Sequence, residues 1–143
     1  MEIAENHEGA KRRSVYLQQR RTQVVTLLQL FDAPSIVGNC SSRTTSTIPL
    51  QSLALLNSKF VRDRAKSLEQ RLRKEAGGDT ATRLNQAFRL ACGRPPSAEE
   101  TTASDRFLTV QRKAYAGAKD GDERAWIDLC QMVLASNAFL YVE

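Results

Sequence analysis

Residues 87–100, AFRLACGRPPSAEE, decide the fold. Leu84, Ala87, Phe88 and Ala91 recur at spacings of three and four, the period of one helix face. Gly93, followed by Pro95-Pro96, stops that helix, because glycine accepts a left-handed C-terminal cap and proline cannot continue the ladder. Ser97-Ala98-Glu99-Glu100 opens the next one as a capping box. The serine oxygen accepts from the amide at the third helical position, and Glu100 reaches back to the serine amide. A helix end, a tight turn and a helix start so close together mark two successive helices.

Working outward, Asp79 caps the helix that contains Leu84, and Gly77-Gly78 ends the one before it. That earlier helix carries Phe60, Val61, Ala65, Leu68 and Leu72 inside, with Lys59, Arg62, Lys66 and Arg73 outside. Glu69 lies three residues from Lys66, where it can pair. A helix from near Thr47 precedes it, with Leu50, Leu53, Ala54 and Leu56 inside and a break at Asn57-Ser58. Thr47 can cap it, and Pro49 is tolerated in a first turn. Beyond Ser97, Ala103, Phe107, Leu108, Val110, Ala114 and Tyr115 are assigned to the core. Gly117 to Asp122 is a loop with a helix-capping aspartate. The last helix runs from Glu123 to about Ala138 and buries Trp126, Leu129, Cys130 and Val133. Phe139 to Val142 is apolar enough to dock.

At the other end, Thr22 to Phe31 (TQVVTLLQLF) is a short helix, apolar on most sides. Asp32-Ala33-Pro34 ends it. Residues 35–46 form a Ser/Thr-rich loop with a Gly38-Asn39 turn. Ser14-Val15-Tyr16-Leu17 is too short for a sheet and is expected to lie as an extended strap on helices. Residues 1–12 are polar, without apolar period, and are expected to be disordered. The fold class is therefore all-α: an irregular bundle of five to six helices with a short extended N-terminal strap. Residues 13–143 are assigned to one helical domain.

Composition narrows the function. Hydrophobic residues make up 41% of the 143 and aromatics only 6%, so the core is mostly Leu, Val, Ala and Ile. No run of about 18 apolar residues exists, so no membrane span is expected. The N-terminus lacks the apolar middle of a secretory signal, which points to the cytoplasm. The one histidine, His7, sits in the segment expected to fray, which argues against a His-based triad or metal site. Cys40, Cys92 and Cys130 form no CxxC or CxxCH, so no haem attachment is predicted. Cys92 and Cys130 sit among apolar residues as small core side chains. No cofactor and no metal are expected.

Charge is uneven. Residues 1–94 carry 16 basic and 8 acidic side chains, and residues 95–143 carry 5 and 8. Lys11-Arg12-Arg13 and Arg20-Arg21 flank Tyr16, a pattern suited to phosphate contacts with base stacking. Arginine also pairs with structural carboxylates, so the cluster does not by itself name nucleic acid. Arg13, Tyr16, Arg20, Arg21 and Arg43 are the candidate contacts to an anion or a partner. Asp32, Thr47, Gln51 and Asn57 are assigned to holding the loop and its flanks. Asp32 and Arg43 would bracket residues 32–46, whose backbone groups need partners.

Taken together, RRSVYLQQRRT (12–22), FDAP (31–34), Cys40, Arg43, STIPLQSLALLN (46–57), FV (60–61), AFRLACGRPPSAEE (87–100) and DLCQMVLASNAFLYVE (128–143) resemble the planctomycetal domain of unknown function 1553. The resemblance covers nearly all of residues 12–143 and matches the last part of that family's region. It implies a C-terminal piece of a larger exported protein, often preceded by a planctomycete cytochrome c domain and a second uncharacterised domain. It supplies no catalytic residues. Lys59 stands where the family often has Pro. Thr44 follows Arg43 where a second Arg is common, which weakens an anion site built on an arginine pair.

Three functions follow as expectations. The first is a non-catalytic helical interaction or structural module, partnered by a second copy of the chain or by another domain. The second is a nucleic-acid-binding protein using residues 11–21. The third is a fragment of an enzyme whose active site lies upstream.

Overall fold

In the computed structural model, the described residues are Phe31 and 49–141. The strap at 14–17, the helix at 22–31 apart from Phe31, the loop at 35–46, the Thr47 cap and Cys40 lie outside them. The chain divides at the Ala54–Leu55 boundary into two units, each described by itself.

Among the described residues the protein is all-α. Six helices follow one another: α1 (Pro49–Asn57), α2 (Lys59–Ala76), α3 (Thr80–Cys92), α4 (Ala98–Ala114), α5 (Gly121–Leu134) and α6 (Asn137–Leu140). No helix among them is long and apolar enough to cross a membrane. The boundaries follow the caps. Ser58 opens α2 and accepts from the Val61 amide at 3.4 Å, a long bond. Asp79 opens α3 and accepts from Thr82 N at 2.8 Å. Gly93 closes α3 in the left-handed conformation, φ 73°, and its N–H donates to Arg89 O. At α4 both halves of the capping box are present, Glu100 N to Ser97 Oγ at 3.1 Å and Ser97 N to Glu100 Oε2 at 2.7 Å.

Arg94 donates to both oxygens of Glu100, at 2.7 and 2.8 Å. That pair, with the Ser97 amide, holds the Glu100 carboxyl down to about 2. A depressed carboxylate stabilises the fold above its unfolded value and loses that contribution as pH falls through its folded one. Glu100→Gln is therefore expected to lower the melting temperature at neutral pH, with the deficit shrinking as pH falls from about 4.5 towards about 2. Melting curves of both proteins across that range check this. Ser97→Ala removes the other half of the box, for an expected loss of about 0.5–2 kcal/mol.

In the second unit, α5 is the central helix. One cluster joins Leu84 and Phe88 of α3, Leu108 of α4, and Ala125, Trp126, Leu129 and Val133 of α5. The other joins Ala65 and Leu72 of α2, Ala87 of α3, and Ile127 and Cys130 of α5. With Trp126, Leu129, Cys130 and Val133 all buried, the assigned core of the last helix holds. Gly121 is required where α5 begins, because a Cβ there would stand 2.8 Å from Tyr115 O.

Several assignments of face and boundary change. The buried stripe of α2 is Val61, Ala65, Glu69 and Leu72, while Phe60 is 45% exposed under the Arg64 guanidinium. On α1, Leu55 is buried and Leu53 and Leu56 are exposed, one residue out of the expected phase. On α4 the inward line is Ser104 and Leu108, with half-buried Tyr115 at the cap just beyond its end. Ala103, Val110 and Ala114 face outward, since the helix turns its other side to α5. The last helix begins at Gly121 and stops at Leu134. Ser136 interrupts it in an extended conformation with its hydroxyl on Val133 O, so Asn137–Leu140 forms a separate turn. Phe139 and Tyr141 stay exposed there. Asp120 takes the cap position of α5 without a capping bond and pairs with Arg124 at 2.8 Å.

Candidate functional site

The chemistry-bearing side chains of the second unit gather along α5, where polar residues cross from α2, α3 and α4. The innermost group is Glu69, Arg83 and Trp126. Glu69 Oε1 accepts from Arg83 Nη2 at 3.0 Å, with side chains only 1% and 6% exposed. The Arg83 Cζ lies 4.1 Å from the Trp126 ring centroid, so the guanidinium is stacked on the indole as well as paired. Arg73 approaches Glu69 at 3.9 Å and pairs with Glu123 at 3.1 Å. Asp122 lies 4.0 Å from Arg83 and 2.7 Å from Arg112.

Burial pushes the Glu69 carboxyl above its ordinary value, with Arg73 and Arg83 pulling it back. Burial also drives the neighbouring Cys130 thiol up to about 12. A thiol needs its thiolate to react. Alkylation of the native protein at neutral pH should therefore leave Cys130 unmodified, with labelling only after unfolding, as peptide mass analysis would show.

The second group lies nearer the surface. Tyr115 donates to Asp128 Oδ2 at 2.6 Å. Arg62 donates to Asp128 Oδ1 at 3.2 Å and to Gln131 Oε1 at 3.1 Å. Gln131 Nε2 donates to Leu56 O at 2.6 Å, which satisfies a carbonyl at the end of α1. Leu56, Arg62 and Tyr115 are thereby tied to α5. Arg62–Asp128 and Arg73–Glu123 also set α2 antiparallel to it, since the higher number on α2 meets the lower on α5.

Comparison with known families decides the affiliation. The model of the family described as Protein of unknown function (DUF1553) matches residues 2–108. The chain belongs to that family. The match takes in residues 2–11, ahead of the motifs quoted above, and ends within α4. In this DUF1553 member the α5 half of both polar groups therefore lies beyond the matched residues. Comparison with curated proteins and with solved structures gave no match.

Of the residues singled out from the sequence, Gln51 is buried on α1 in the first unit and Asn57 is the exposed last residue of α1. Arg13, Tyr16, Arg20, Arg21, Asp32, Arg43 and Thr47 lie outside the described residues. Arg62 and Arg73, expected on a solvated face, span to α5. Glu69 turns away from Lys66 and into the interior. Glu69 and Arg83 were missed, although the signal was present. Each is a charge at a core position, Glu69 between Ala65 and Leu72 and Arg83 four residues before Ala87. Opposite charges on two facing apolar stripes imply a buried pair.

Proposed function

We propose that this chain is a non-catalytic helical module that works by contact, with another domain or with a second copy of itself. The observation that carries this reading is where its ionisable groups are spent. Among the described residues, Arg62–Asp128, Arg73–Glu123, Arg83–Glu69 and Arg112–Asp122 each join two helices, so these eight charged groups serve to hold the bundle in register. Of these, Arg83–Glu69 is buried, and a buried pair favours one packing arrangement over its neighbours. A surface meant for docking needs such rigidity, because ordering a loose one on binding costs free energy.

Sequence supports a contact role in the first unit as well. Val15, Leu17, Val24, Val25, Leu27, Leu28 and Leu30 are more apolar side chains than one short segment buries on a single side. A second copy in a symmetric dimer is the simplest partner. Light scattering against concentration is expected to show association above the 16.0 kDa monomer mass, reversed by Leu28→Asp with helicity retained. A monomer at every concentration, without dye-binding apolar surface, counts against self-association. Salt-dependent DNA binding lost on neutralising Lys11 to Arg21 would replace the contact reading with the nucleic-acid one.

A further inference from the structure

We propose that the interior of the bundle binds one ordered water molecule between Glu69, Arg83 and Trp126. Three buried side-chain atoms have no hydrogen-bond partner among the described residues: Glu69 Oε2, Arg83 Nε and Trp126 Nε1. They belong to one cluster, in which Glu69 holds Arg83 at 3.0 Å and Arg83 stacks on Trp126 at 4.1 Å. The three residues are 1%, 5% and 1% exposed, and they come from α2, α3 and α5. A buried polar atom left unpaired costs about 1–3 kcal/mol, so each of the three calls for a partner.

The donor set names the occupant. Trp126 Nε1 and Arg83 Nε can only donate, and the ionised Glu69 oxygen can only accept. An anion would take the two donors and be repelled by Oε2. A cation would take Oε2 and be repelled by the guanidinium and the indole N–H. Water accepts from both donors and donates to Oε2, within the two to four partners, about three on average, that buried waters make. The competing arrangement is a side-on ion pair. Nε and Nη2 share one edge of the guanidinium, so a rotation of Glu69 would bring Oε2 onto Nε. That closes two of the three atoms and leaves the indole unpaired, whereas a water accounts for all three.

Trp126 is the only tryptophan, so its indole N–H gives a single resonance in a 1H–15N spectrum of the intact wild-type protein. The expected result is a cross-peak between that proton and water, with the NOE sign of a long-lived bound molecule. A high-resolution crystal structure should show a water within hydrogen-bond distance of all three atoms. Absence of the cross-peak overturns the proposal. So does a crystal structure with an ion in that place, with a protein group on Nε1, or with Glu69 gripping Arg83 through both nitrogens and nothing between them and the indole.

Discussion

Trp126→Ala will lower the unfolding free energy by about 3–5 kcal/mol, the range for deleting a large buried aromatic. Trp126 is 1% exposed and packs in the cluster that joins α3, α4 and α5. Removing it leaves a large cavity in the middle of the second unit. It also strips the Arg83 guanidinium of the ring face that it stacks on at 4.1 Å. Both losses weaken the α3–α5 contact, which places the effect towards the upper end. Chemical denaturation followed by circular dichroism measures it. A midpoint unchanged within error would mean that the indole is not in the core and that α5 is rotated from the arrangement described. Trp126→Phe separates the two losses, since it keeps most of the volume and a weaker cation–π surface.

Glu69→Ala will destabilise by a comparable amount, about 3–5 kcal/mol, because it leaves Arg83 charged and buried with only the exposed Asp122, at 4.0 Å, as counter-ion. The double variant Glu69→Leu with Arg83→Met should behave differently. Replacing a buried pair by apolar groups of similar volume is commonly neutral or stabilising, by up to about 4 kcal/mol. The direction of the Glu69 shift agrees with this. Burial raises its folded value above the ordinary 4.5, so the folded state holds the proton more tightly than the unfolded chain does. Glu69 therefore adds stability while protonated, and that contribution is lost as pH rises through its folded value. At neutral pH the charged pair has not fully offset its own desolvation. Its gain is in register, as a wrongly packed α2–α3 hairpin would strand one charge in the core. Denaturation curves of the wild type, both single variants and the double variant form a cycle that reads the coupling. If Glu69→Ala alone were harmless, the pair would have to be solvated and this account would fail.

The elements of the second unit were legible in the sequence because their signals are local. Gly93 with Pro95-Pro96, Asp79, Ser58 and the Ser97–Glu100 box each act within one turn of a helix, so their chemistry needs no distant partner. The apolar period of α5 likewise identified Trp126, Leu129, Cys130 and Val133 as core, since a stripe that regular has to be buried somewhere. What the sequence could not decide was phase and partner. On α4, Val110 and Leu108 are both apolar, and only the position of α5 turns Leu108 inward and leaves Val110 56% exposed. Phe60 and Val61 pose the same choice on α2. Charge is the harder case. Glu69 has a plausible local partner in Lys66, at a spacing that stabilises by only a few tenths of a kcal/mol, about 0.2–0.5. Its actual partner, Arg83, comes from another helix at a position set by the Gly77-Gly78 turn. The same holds for Arg62 with Asp128, which are separated by 66 residues. Short-range chemistry thus settled where the helices of this protein begin and end. Which charges became part of its interior depended on contacts that exist only once α2, α3 and α4 have packed around α5.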